Sequence, residues 1–362
     1  MIKEAIAKLV KGEDLLEQEM ETTMAEIFEN TATPAQLGAF IAALRIKGET
    51  VVEITAAARA LRAKTTKVRV DNGLVTIDRD EINVEEETIL DTCGTGGDGT
   101  NTFNISTATA FVAAGGGVRV AKHGNRAVSS RCGSADVLSN LGVRLDINRS
   151  NIEQCIREIG IGFLYAPLFH GAMRYAAAPR QEVGIRTVFN LLGPLTNPAG
   201  ATAQVLGVYA PRLTGTMAEV LDRLGCREAF VVCGEETLDE ISICGPTRLS
   251  HLKDGAVRTF RMEPGDFGFD RADPRAIKGG TARENARIIR EILDGEKGPR
   301  RDVVVMNAAA AFVAAGVEPD FQTGAKRAVE AIDSGKALDK LERLISYTRD
   351  CRPFVRAEIA AA

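Results

Sequence analysis

Apolar positions early in the chain fall at helical spacing. Leu37, Phe40, Ile41 and Leu44 line one face of a helix. Just ahead of them, Thr33-Pro34-Ala35-Gln36 sets Thr at the N-cap, Pro at the first helical position and Gln at N3, so cap and N3 side chains satisfy backbone donors reciprocally. A helix is expected from about Pro34 to Arg45. After Lys47-Gly48, Thr50-Val51-Val52-Glu53 repeats the arrangement and opens a second helix through Leu61. Residues 1–70 therefore read as a small helical domain.

Between Val68 and Glu87 β-branched residues alternate with acidic ones around Asp71-Asn72-Gly73, a hairpin signal. Residues 71–87 are expected to be a linker or hinge with a short ribbon. From Thr88 the pattern changes. Apolar runs at Ile89-Leu90, Val118–Ala121, Gln204–Val208, Ala229–Val232 and Val303-Val304-Val305 alternate with small-residue helices, which implies a mostly parallel or mixed sheet covered by helices. The fold class expected is α/β, with a large α/β domain over residues 88–362. Ala110–Gly115 recurs as Ala311–Gly316; two Ala-thinned helices packed close to a sheet explain the echo better than a repeat array.

With 362 residues the chain has room for two packed domains and a buried site. Its 45 Lys+Arg and 49 Asp+Glu give a net charge of −4 with no dense basic run, so nucleic acid is not an expected partner. Charged residues crowd the start and no apolar run reaches the roughly 18–20 residues of a membrane span, so a cytoplasmic protein with no membrane partner is expected. Seven cysteines without a C-x-x-C pair read as reduced packing residues. His123, His170 and His251 form no i, i+4 pair and G-x-S-x-G is absent, so zincin and serine-hydrolase chemistry lack their parts; each histidine reads as packing or hydrogen bonding.

Four segments carry chemistry. Asp91–Thr100 holds a glycine-rich turn after a strand and before Asn104-Ile105-Ser106-Thr107, a natural helix start. Backbone N–H groups turned inward beside a helix N-terminus suit a diphosphate; a ligand-free turn is the alternative. Lys122 to Asp136 follows the next strand with cations, serines and glycines, the makings of an oxyanion loop, or else a solvated basic one. Adjacent Asp239 and Glu240 follow the strand Phe230–Val232, where they would hold Mg2+ or remain an idle acidic pair. In Pro179–Pro198, Arg180 or Arg186 would clamp a carboxylate, or form a structural ion pair.

In this order the segments resemble the anthranilate phosphoribosyltransferase family. Its marks are G-T-G-G-D-G at Gly94 to Gly99; K-H-G-N-R, S-S and G-S-A-D within Lys122 to Asp136; R-T-x-F-N-x-L-G-P-L-x-N-P at Arg186 to Pro198; and L-D-E-I-S before G-P-T at Leu238 to Thr247. The likeness runs to about Tyr347 and implies a nucleoside-phosphorylase-like phosphoribosyltransferase, with a helical domain hinged to an α/β domain and joined in space by a segment near residues 165–190. It also implies a homodimer. By that resemblance Gly94, Gly97, Asp98, Thr102, Asn104, Ser106, Thr107, Lys122, His123, Gly124, Asn125, Arg126, Ala127, Val128, Ser129, Ser130 and Ser134 hold phosphoribosyl pyrophosphate. Gly94, Asn125, Arg180 and Gly193 contact anthranilate. Ser106 with Glu240, and Asp239 with Glu240, would bind two Mg2+ ions. No dedicated general base is implied.

The chain departs from the pattern at Cys233-Gly234, where the family has H-G, at Thr237, where it has Gly, and at His170-Gly171-Ala172-Met173, where it has H-P-A-M. A pyrimidine nucleoside phosphorylase would share the fold but lacks K-H-G-N-R. A non-catalytic nucleic-acid-binding relative would be expected to lose Asp239-Glu240 and gain basic surface.

Overall fold

The two helices expected from the capping patterns form through the reciprocal caps. Thr33 Oγ1 accepts from Gln36 N at 3.3 Å and Gln36 Oε1 accepts from Thr33 N at 2.9 Å, opening α3 (Pro34–Lys47). Thr50 and Glu53 repeat the exchange at 3.2 and 2.9 Å, opening α4 (Val51–Ala63). Glu53 is fully buried and also binds Lys47 Nζ at 2.8 Å and Leu15 N at 3.0 Å, so one carboxylate ties three segments together. A buried charge persists only with such partners. The bundle begins with α1 (Ile2–Val10) and α2 (Glu17–Phe28).

The computed structural model describes residues 1–70, 76–78, 81–83, 87–127, 131–234 and 237–354. A ribbon pairs β1 (Thr76–Asp78) antiparallel to β2 (Glu81–Asn83), with Ile77 opposite Ile82. Asp71-Asn72-Gly73, which signalled a hairpin, lies outside the described residues.

The main sheet contains β3 (Ile89–Gly94), β4 (Arg119–Gly124), β5 (Ile161–Tyr165), β6 (Ala203–Gly207), β7 (Glu228–Gly234), β8 (Thr247–Lys253) and β9 (Ala256–Met262). Its order is β5-β4-β3-β6-β7-β8-β9, parallel from β5 through β7 and antiparallel at β8 and β9. Helices cover both faces: α5 (Ile105–Gly115), α6 (Ser134–Leu141), α7 (Arg149–Gln154), α8 (Ala166–Phe169), α9 (Arg174–Val183), α10 (Val188–Leu195), α11 (Leu213–Arg223), α12 (Ala282–Leu293), α13 (Pro299–Ala314), α14 (Phe321–Asp333) and α15 (Lys336–Asp350).

Strand alternation divides the core. In β7, Phe230 and Val232 join α5 and α13 in one apolar cluster, while Ala229, Val231 and Cys233 join α11 and the N-terminal bundle in another. Helices α9 and α10 pack against the bundle, α9 on α2 and α3, α10 on α3 and α4. Among the described residues no helix is long and apolar enough to cross a membrane.

Two readings need correction. Val303-Val304-Val305 is helical, inside α13. Gly298-Pro299 gives it a helix start, and burial from Val303 through Ala314 removes the polar face whose periodicity would have shown it. Strand β4 runs on to Gly124, so Lys122, His123 and Gly124 are strand residues and not part of a loop. The β8–β9 hairpin passed unread although Asp254-Gly255, at φ 50° and 73°, supplies the two left-handed residues of a tight turn. All seven cysteines are free, five of them buried.

Candidate active site

The parallel strands β3, β4, β6 and β7 end in Gly94, Gly124, Gly207 and Gly234, all at one edge of the sheet. Open α/β sheets bind ligands outside this carboxyl edge. The loop after β7 folds back across it. A Cβ on Gly207 would stand 1.6 Å from the Asp239 carbonyl oxygen, and one on Gly94 would stand 2.3 Å from Asp239 Oδ2. Glycine at those strand ends is what lets the acidic loop lie over the sheet.

The glycine-rich segment turns back toward the same loop. Gly96, Gly97 and Gly99 take φ of 68°, 69° and 80°, and Gly96 N donates to Asp239 Oδ2 at 2.7 Å. Thr237 Oγ1 donates to the Asp98 carbonyl at 2.7 Å. Thr102 bridges to Lys278, and Gly279 N donates to the Asn101 carbonyl at 2.9 Å.

Asn104 is the N-cap of α5, yet its side chain makes no capping bond. It donates instead to the Cys132 carbonyl at 3.1 Å and accepts from Asn285 at 3.0 Å, tying the start of α5 to the segment before α6. Ser106 N donates to Glu240 Oε1 at 2.9 Å, which seats a carboxylate at the positive end of α5. Thr107 is buried, and its hydroxyl has no partner among the described residues. Lys122 is buried too, and its Nζ donates to the Thr92 carbonyl at 2.5 Å and lies 3.4 Å from Ser106 Oγ. Lys122, Ser106 and Glu240 therefore lie together at the carboxyl edge of the sheet, joined through Ser106.

Charge is concentrated there. Burial, and then Asp98, push Asp239 up to about 7; burial and Asp239 push Glu240 up to about 8. Burial holds Lys122 below the usual lysine range although Asp91 and Glu240 favour its charge. A divalent cation would relieve this acidic crowding. Among the described residues no group of three or more His, Cys, Asp or Glu could bind a metal alone. Mg2+ does not need one, since it takes one or two carboxylates and shares its other positions with water and phosphate. The all-oxygen set of Ser106, Asp239 and Glu240 fits that ion.

On the other side of the β4 end, Ala135 N and Ser134 Oγ donate to the Asn125 carbonyl at 3.1 and 3.4 Å. Arg126 is exposed, pairs with Asp136 at 2.9 Å and lies over the Tyr165 ring. Asp136 also accepts from Ala127 N at 2.9 Å. Val128, Ser129 and Ser130 lie outside the described residues. Arg180, in the last turn of α9, stacks 5.0 Å above the Phe189 ring of α10. Arg186 lies 4.4 Å above Tyr209. Gly193 is an exposed point on α10.

His123 and His170 are buried and joined Nε2 to Nε2 at 3.0 Å. Burial, then the neighbouring ring, takes His123 down to about 3, with Lys122 opposing its charge further; burial takes His170 down to about 4. Unfolded, each ring protonates near 6.5. Folding stability contributed by the neutral pair is therefore complete above that pH and is lost as pH falls toward 4, by about 2 kcal/mol per ring at pH 5. Urea unfolding of His170→Asn should show a fall in stability between pH 7 and 5 that is smaller than that of the unsubstituted protein by about 2 kcal/mol. Equal falls would contradict the burial of a neutral ring.

The glycosyl transferase family helical bundle domain matches residues 3–65, and the glycosyl transferase family a/b domain matches residues 86–338. The anthranilate phosphoribosyltransferase of Geotalea uraniireducens is 56% identical over 350 residues, 97% of this chain and 100% of the relative. The chain belongs to the anthranilate phosphoribosyltransferase family. The crystal structure of the Thermus thermophilus anthranilate phosphoribosyltransferase is 44% identical, with a TM-score of 0.87 over 95% of this chain and 99% of that one. The Saccharomyces cerevisiae enzyme in complex with PRPP and Mg is 30% identical, with a TM-score of 0.85 over 96% of this chain and 98% of that one.

Against the phosphoribosyltransferase motifs, Thr237 stands where glycine is usual and keeps the left-handed conformation, at φ 80°. For a β-branched residue that is strained, and the bond to the Asp98 carbonyl holds it there. Cys233 is wholly buried. Sequence reasoning missed the roles of Asp91 and Asn197. Buried Asp91 accepts from His123 N at 3.2 Å and from Asn197 Nδ2 at 2.7 Å, bracing β4 against the Pro194–Pro198 turn. Asp91 and Asn197 lay within quoted motifs; only the three-dimensional register gives them a role.

Proposed function

We propose that this phosphoribosyltransferase passes the 5-phosphoribosyl group of phosphoribosyl pyrophosphate to the amino group of anthranilate, yielding N-(5-phosphoribosyl)anthranilate and pyrophosphate in tryptophan biosynthesis. The observation carrying this reading is the meeting of the Gly94–Gly99 loop, Ser106, Lys122 and the Asp239-Glu240 pair at one sheet edge. Lys122 and the glycine loop hold the diphosphate. Ser106, Asp239 and Glu240 would hold two Mg2+ ions, one on Ser106 and Glu240 and the second on Asp239 and Glu240. Bound Mg2+ supplies electrostatic stabilisation of the departing pyrophosphate.

Because the aromatic amine is already neutral and nucleophilic near pH 7, positioning replaces a strong base. Arg180 takes the anthranilate carboxylate, with Asn125 and Gly193 alongside. The ribose C1 passes through an oxocarbenium-like state between the two subsites. The protein works as a cytoplasmic homodimer.

Purified protein mixed with Mg2+, phosphoribosyl pyrophosphate and anthranilate should quench anthranilate fluorescence as product forms. No loss of fluorescence, combined with phosphate-dependent cleavage of thymidine or uridine, would replace this reading with nucleoside phosphorolysis.

A further inference from the structure

The ladder between β3 and β4 stops short of the carboxyl edge of the sheet. Its parallel register ends at Leu90 opposite Val120, whereas β3 stays paired with β6 as far as Gly94 and β4 with β5 as far as Gly124. Carried two residues further, the same register would set Thr92 opposite Lys122, with the Ala121 carbonyl and the His123 N–H meeting the Thr92 backbone. Side chains occupy those groups in its place. Asn197 Nδ2 donates to the Ala121 carbonyl at 2.7 Å, His123 N donates to Asp91 Oδ1 at 3.2 Å, and Lys122 Nζ donates to the Thr92 carbonyl at 2.5 Å.

These side chains are also joined to one another. Asn197 Nδ2 donates to Asp91 Oδ2 at 2.7 Å, and Asn197 Oδ1 accepts from Ala199 N at 2.9 Å, so the amide reaches from the turn after α10 into the sheet. Asp91 and Asn197 are both buried, and such groups are tolerated only when satisfied. Had the ladder run on, the His123 N–H would have competed with Lys122 for the Thr92 carbonyl. With Asp91 taking that N–H, the carbonyl is left to the ammonium. Thr92 Oγ1 meanwhile donates to the Ser106 carbonyl at 2.9 Å, which brings Ser106 Oγ to 3.4 Å from Lys122 Nζ. Burial lowers the pKa of Lys122, and among the charges around it Asp91 does most to oppose that.

We propose that Asp91 and Asn197 are positioning residues for the phosphoribosyl donor: by taking the β4 backbone groups that would otherwise pair with β3, they hold the ladder open and place the Lys122 ammonium beside Ser106. Neither contacts the donor itself. Their contribution passes through Lys122, and it rests on the reading of this edge as the phosphoribosyl pyrophosphate site.

A double-mutant cycle tests this, read by calorimetric titration of the full-length protein with phosphoribosyl pyrophosphate in saturating Mg2+ and without anthranilate. Asn197→Ala should weaken binding about tenfold, roughly the loss of one hydrogen bond, yet add less than about twofold in a Lys122→Met background, because the two losses share one route. Asp91→Asn keeps the size of the side chain and an acceptor for His123 N, but turns an N–H toward Asn197 Nδ2. It should show the same weakening and the same non-additivity, and it decides the matter if Asn197→Ala does not fold. Equal weakening in both backgrounds would reduce the pair to structural residues, and binding unchanged in either variant would overturn the positioning role. A wild-type protein that does not bind phosphoribosyl pyrophosphate would instead remove the reading of the site, and the role with it.

Discussion

Replacing Asp239 and Glu240 together with alanine abolishes the Mg2+ dependence of turnover and lowers kcat/KM by about three orders of magnitude or more, the scale of losing preorganised charge stabilisation. The expectation follows from their placement. Asp239 accepts from Gly96 N, and Glu240 accepts from Ser106 N at the start of α5, so each carboxylate organises a segment proposed to hold phosphate and adds negative charge beside it. Both are held near neutral pKa values by burial and by acidic neighbours, a state that a bound cation would reverse. Initial rates across an Mg2+ titration check this. A double variant with wild-type rates and an unchanged Mg2+ response would remove the metal site from the account.

The second large effect is expected at Arg180. Its guanidinium is partly buried against Phe189, and burial alone lowers its pKa, with no carboxylate of the described residues offsetting the loss of water. A desolvated guanidinium without an ionic partner is well suited to an incoming carboxylate, which it binds through two parallel bonds. Arg180→Ala should therefore cost about 2–4 kcal/mol in kcat/KM for anthranilate, with little change in affinity for phosphoribosyl pyrophosphate. Arg180→Lys should recover only part of it, because a point charge cannot reproduce the fork. Unaltered anthranilate kinetics in Arg180→Ala would transfer the carboxylate to Arg186 or elsewhere.

Local chemistry was legible where short-range physics decides the outcome. The Thr33 and Thr50 caps announced α3 and α4 because the bonds they make lie within three residues. The glycine-rich segment and the Asp239-Glu240 pair were readable as candidate ligand sites, since side-chain chemistry at strand ends needs little context. Helix α13 was read as a strand because burial erases the helical periodicity and leaves a β-branched run.

The links between segments were not legible. Nothing in the spacing of Thr65, His170 and His123 indicates that they meet at 2.9 and 3.0 Å; only the folded chain brings them together. Lys122 looked like a loop cation because its neighbours are polar, whereas β4 carries it inward to Thr92 and Ser106. Thr237 shows the opposite case, a residue whose position in a motif expects glycine, yet whose hydroxyl uses the strained geometry to hold Asp98.

Diffraction from crystals soaked with phosphoribosyl pyrophosphate and Mn2+ in place of Mg2+ tests the central claim most directly. Anomalous peaks should fall beside Ser106, Asp239 and Glu240, with the diphosphate over Gly94–Gly99 and near Lys122. Metal and diphosphate bound together on another surface, with this cleft empty, would contradict it.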